Sequence, residues 1–218
     1  MMNQVTNTET ADSRLSWIYK ISGVAALITG ILFLIAMIGL ITEVLQPSIT
    51  NGWLSPFENN WLIVIFKLHA GSLDIHDDPL HGLNLIDIAI LALVGTLCFG
   101  LRAALGKANN IWSSIAFALS LITIILFIAT QIAGRSTVML SVLIFSFVML
   151  RNNIFGKATI YAGILAGVFL FVGDLSVGIH SNIITILFGI GYVLLTIWFF
   201  LVGRRLFQLG QTVQGGAK

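Results

Sequence analysis

Residues 83–102 read LNLIDIAILALVGTLCFGLR, an apolar run with one carboxylate near its start and one guanidinium at its end. At about 20 residues it matches the helix length that crosses the hydrocarbon core of a bilayer. Asn84, Asp87, Leu91, Gly95, Cys98 and Arg102 recur at steps of three and four, so a helix gathers them on one stripe. That stripe must face protein, because an ionisable group on the lipid side is costly. The aliphatic remainder is left to meet lipid.

Five more runs of this kind complete the chain: Ile18 to Ile41, Ile111 to Ala133, Thr137 to Leu150, Ala158 to about Ile179, and Ile183 to Gly203. The 218 residues are 57% hydrophobic and 9% charged, with a mean hydropathy of +1.00. Soluble domains carry about 25% charge, so the composition excludes one and leaves an all-α polytopic membrane protein of six transmembrane helices. The net charge of +2 is too small and too scattered for a nucleic-acid partner. Cys98 is the single cysteine, which removes any disulfide framework or thiolate metal site. Residues 1–16 are polar, bear Glu9, Asp12 and Arg14, and lack the build of a cleaved signal, so they read as a cytoplasmic segment before a retained first span. Residues 17–205 then form one transmembrane domain, and 206–218 a cytoplasmic tail.

Charge fixes the orientation. Assigned alternately to two sides, every one of the 11 basic residues except Lys67 and Arg135 falls on the same side. The positive-inside rule makes that side cytoplasmic, with both termini in. The acidic residues Glu43, Glu58, Asp74, Asp77, Asp78, Asp87 and Asp174, and all four histidines, fall on the outward half. The short basic connections at Arg102 to Asn110 and Arg151 to Lys157 read as turns whose charge sets topology and carries no chemistry.

Lipid is as apolar as leucine, so spans associate through small and polar seams. Such seams run through Gly23, Ala26 and Gly30; through Ser113, Ala116, Ser120, Thr123 and Thr130; through Gly163, Gly167, Leu170 and Asp174; and through Asn182, Thr185, Gly189, Tyr192 and Thr196. Asp87 and Asp174 lie inside the outward ends of their spans. Arg135 sits in the tight connection before a fourth span of about 14 residues, roughly 21 Å against a core of about 30 Å. A depression in the outer face is expected there, with Asp87, Gln131, Arg135, Asp174 and His180 as its polar lining. Arg135 needs a carboxylate, and Asp174 and Asp87 are the partners at that depth.

The outward connection 43–82 is about 40 residues, far beyond the usual loop of about 4 to 6. Ser55, Pro56 and Glu58 form a capping box ahead of Trp61-Leu62-Ile63-Val64-Ile65-Phe66, predicting an interfacial or re-entrant helix over Pro56 to Leu73 that lies as a lid across the outward mouth. Beyond it, His76, Asp77, Asp78 and His81 are the densest polar cluster. Imidazole with carboxylate suits a divalent metal such as Zn, Mn or Fe, while an acidic turn ahead of Pro79 accounts for the same residues without one. A haem held by two of the four histidines is disfavoured.

The run Tyr19 to Ile41, the entry Leu83 to Leu101, and the ending Gly191 to Gly210 with Trp198 and Arg204-Arg205 resemble the bacterial six-helix membrane proteins grouped as a domain of unknown function. The resemblance implies six helices and an inner-membrane location, and carries over no chemistry. The leading expectation is therefore a non-catalytic protein that binds a lipid-like or small amphipathic ligand, or a partner subunit, in an outward-facing pocket. A metal-dependent membrane-embedded hydrolase using the His/Asp cluster is the alternative enzyme. A small transporter is a third reading, weakened because Asp87 and Asp174 lie on one side rather than at inverted positions.

Overall fold

The computed structural model describes residues 2–45, 85–106, 110–130, 135–176 and 182–215. All regular structure among them is helical: α1 Met2–Leu45, α2 Leu85–Leu105, α3 Asn110–Thr130, α4 Arg135–Leu150, α5 Lys157–Leu175 and α6 Asn182–Gly215. Three stretches are long and apolar enough to cross a membrane, Leu15–Ile35, Ile88–Leu105 and Ile186–Val213, with mean hydropathies of 2.1, 2.2 and 2.3. The apolar parts of the other helices are shorter, Ile111–Ile125, Met139–Leu150 and Lys157–Gly173. The protein is thus a helical membrane protein. The expected lid, Pro56 to Leu73, lies outside the described residues.

Each helix packs on its neighbours in sequence, and α6 closes on α1, so the six form a ring. The α1–α6 contact is the most extensive and α2–α3 the thinnest in the ring, while α2 also touches α4 and α6 across the middle. Neighbours run antiparallel. Tyr19 Oη donates to Ala103 O at 3.3 Å and Ser22 Oγ to Thr96 O at 2.8 Å, pairing the start of α1 with the end of α2. Ser16 Oγ donates to Gly210 O at 2.6 Å, pairing the same start with the end of α6.

The small-residue seams hold where their side chains are described. Gly23, Ala26 and Gly30 face α6, and a Cβ on Gly23 would lie 2.8 Å from Gly203 O, so these two backbones pass almost in contact. Ser113, Ala116, Ser120 and Thr123 are buried, as are Tyr192 and Thr196. Several buried hydroxyls are satisfied along their own helices: Thr29 donates to Ala25 O, Ser120 to Ala116 O and Thr196 to Tyr192 O, the i−4 pattern that lets Ser and Thr live in an apolar medium. The outer face is the complement. Ile21, Val24, Ile28, Ile31, Leu34 and Ile38 of α1, and Ile183, Ile186, Ile190, Val193 and Ile197 of α6, form exposed aliphatic stripes.

Helices α1 and α6 exceed the apolar runs at the basic end. α1 is already helical at Met2, within the segment expected to be merely polar, and α6 continues to Gly215 through most of the expected tail. The extension of α6 is held by packing: Leu206 is fully buried, and Leu209 and Val213 pack partly buried against the core, as does Leu15 of α1. Arg102, Arg204 and Arg205 are accordingly helix residues rather than loop residues. Arg102 Nη1 donates to Ser114 Oγ at 2.5 Å with its guanidinium 5.5 Å from the Phe117 ring centre, and Arg205 Nε donates to Ile154 O at 2.6 Å. These bonds tie α2 to α3 and α6 to the α4–α5 turn.

Candidate functional site

Inside the ring lies an apolar cavity of about 40 Å³, walled by α1 to α4 and α6. Phe33, Leu91, Val142, Phe145 and Trp198 are among its lining residues. Polar character is confined to Cys98, Ser120, Ser141 and the Trp198 indole. Ser120 donates its proton to Ala116 O, and the buried Cys98 lines the same cavity. A buried thiol so placed behaves as a small hydrophobe. A void that admits a water needs about 10 to 15 Å³ by this measure, so the cavity holds a few water-sized units, the end of an alkyl chain but no whole lipid.

Ile90 and Leu91 of the wall stand one turn beyond Asp87, and Met139 one turn beyond Arg135. The cavity therefore begins one helical turn beneath these two positions. Asp87 is in the first turn of α2, Arg135 is the first residue of α4, and Asp174 is in the last turn of α5. All three are at the end of the ring opposite the basic one. Their heights on adjacent helices can be read from the packing. Gly163 of α5 faces Ser146 of α4, and Gly167 faces Leu143. Eleven residues from the first contact, about three whole turns, lead to Arg135 on α4 and to Asp174 on α5. The two positions are level with each other and continue the contacting stripes. Asp87 belongs to α2, which only brushes α4.

The other expected site residues, Gln131, His180 and the cluster His76, Asp77, Asp78 and His81, lie outside the described residues. Among the described residues there is no group of three His, Cys, Asp or Glu side chains able to hold a metal.

A second polar feature was not foreseen. Ser146 and Trp198 are 0% and 1% exposed, yet neither Ser146 Oγ nor Trp198 Nε1 has a hydrogen-bond partner. Both atoms crowd the Cα of Gly163, where a Cβ would stand 2.5 Å from Trp198 Nε1 and closer still to Ser146 Oγ. The glycine spacing in α5 is thus what lets a serine and an indole enter the ring from either side. The GxxxG pattern signalled a close approach, but only the fold says which side chains fill it.

Compared with protein-family models, with curated proteins and with solved structures, the chain matches none.

Proposed function

We propose that the chain is a six-span protein of the bacterial inner membrane, both termini cytoplasmic, that binds a small amphipathic molecule in a pocket opening at the outward end of the ring. The observation that carries this reading is the apolar cavity beginning one turn beneath Asp87 and Arg135. A ligand of this kind puts the end of its apolar tail among Leu91, Val142 and Phe145 and keeps its polar head at the level of the charged helix ends. Arg135 and Asp174, level on adjacent helices, then form the ion pair that lets a guanidinium remain at that depth. The six-span topology is supported by the basic end: Lys20 beside Gly210, Arg102 on Ser114 and Arg205 on Ile154 gather charge from three helices on one side.

Organic extraction of protein purified from membranes, followed by mass spectrometry, tests the reading. The parent should release an amphiphile in near-stoichiometric amount, and Val142→Phe, which fills the cavity, should release several-fold less at an unchanged melting temperature. Equal content in both would overturn the pocket. A polypeptide recovered in its place would make the occupant a partner subunit.

A further inference from the structure

A separate groove lies at the basic end, on the outer surface of the ring. It encloses about 440 Å³ between the first turn of α3 and the last turns of α4, lined by Trp112, Ile144, Phe147, Val148, Leu150 and Arg151. The volume is within the range of about 300 to 1,000 Å³ typical of small-molecule sites. Trp112, Phe147 and Leu150 are 48%, 53% and 47% exposed, so bulky apolar side chains stand open to whatever surrounds the protein. In a membrane protein that surrounding is lipid. Trp112 and Arg151 both stand at the helix ends, at the height where a tryptophan marks the boundary between acyl chains and headgroups.

The geometry points to a binding site for an anionic phospholipid, with an acyl chain lying along Ile144, Phe147 and Val148 and the headgroup phosphate on Arg151. Charge complementarity selects this occupant. Among the described residues the one ionic group lining the groove is the cation Arg151, one residue beyond the end of α4. Arg102, Lys157, Arg204 and Arg205 lie at the same end and add a favourable field. An arginine offers two parallel donors to phosphate oxygens, which a zwitterionic headgroup also presents but with a competing ammonium. The aromatic and aliphatic walls supply the chain contact. The site is at the opposite end from the pocket proposed above, stands without it, and holds whichever leaflet this end occupies.

The test uses full-length protein stripped of lipid in detergent and titrated with dioleoylphosphatidylglycerol or dioleoylphosphatidylcholine by native mass spectrometry. The first bound phosphatidylglycerol should be about fivefold tighter than phosphatidylcholine, and Arg151→Gln should abolish that preference. Lys157→Gln, a change of equal charge outside the groove, should keep it. Phosphatidylglycerol carrying brominated chains should quench the emission of the parent in vesicles, and Trp112→Phe should remove that quenched component. Equal affinity for the two lipids overturns the site. Equal loss in the two charge variants also overturns it, since the preference would then come from the field of the whole basic end. An unquenched Trp112 shows the groove empty of chain. None of these outcomes depends on Val142, so failure here is distinguishable from failure of the outward pocket.

Discussion

Gly23 of α1 and Gly203 of α6 cross with their backbones in mutual contact: a Cβ on Gly23 would lie 2.8 Å from Gly203 O, and one on Gly203 would lie 2.9 Å from Gly23 O. The obstacle on both sides is backbone, which cannot swing away as a side chain can. Gly23→Ala should therefore lower stability in detergent by about 1 to 3 kcal/mol, the range for overpacking a filled interface. Gly156→Ala, where nothing lies within 4 Å of the added carbon, should change the melting temperature by no more than a degree or two. Similar melting of the two variants would show that α1 and α6 are not packed as described.

At the Gly163 crossing, Ser146 Oγ has no partner to lose. Ser146→Ala should be close to neutral or slightly stabilising, because an unsatisfied hydroxyl in an apolar interior is a cost. Trp198→Ala removes the largest fully buried side chain among the described residues and should cost about 3 to 5 kcal/mol. A large loss on Ser146→Ala, read in the same thermal assay, would mean that the hydroxyl is bonded after all.

The level heights of Arg135 and Asp174 make a selective rescue the expected outcome. Arg135→Met should destabilise by about 3 to 5 kcal/mol by stranding the carboxylate. Adding Asp174→Asn should recover part of that loss, whereas Asp87→Asn should not. Rescue by the Asp87 variant instead would move the pair to α2.

Orientation is checked by labelling introduced cysteines in a Cys98→Ser background. Cysteine at Gln46 or Asp78 should react with an impermeant reagent in intact cells, and cysteine at Asn109, Asn152 or Gln211 only after permeabilisation. Reaction at position 152 from outside would show that the span count is off by one.

Much of the helix arrangement was legible because small and polar residues recur at helical spacing: Gly23, Ala26 and Gly30 face α6, and Ser113, Ala116, Ser120 and Thr123 are buried. Two things were not legible, for physical reasons. Hydropathy marks the part of a helix inside the bilayer and is silent outside it, so the continuation of α1 back to Met2 and of α6 out to Gly215 left no signal. The closure of α6 on α1 joins residues nearly two hundred positions apart, such as Ser16 and Gly210, and no local pattern encodes that. For the sites, Asp87, Arg135 and Asp174 stand out in the sequence by their cost in lipid, and the fold adds only the heights of these positions. The groove at Arg151 was passed over because a basic turn has a sufficient topological reason to exist. The neighbouring Trp112, Phe147 and Leu150 were the clue that it also borders a surface for lipid.

The closed ring has a consequence for how the protein is made. Of these six helices α1 leaves the ribosome before the others and α6 after them, yet theirs is the most extensive contact. Until α6 is made, the bare glycines of α1 and the hydroxyl of Ser16 face lipid or a temporary companion, and the arrival of α6 relieves them. A chain cut short before α6 keeps that seam open however well its other helices pair. That interface cannot form until α6 has been made, and it is where a membrane protease could tell a chain that carries α6 from one cut short before it.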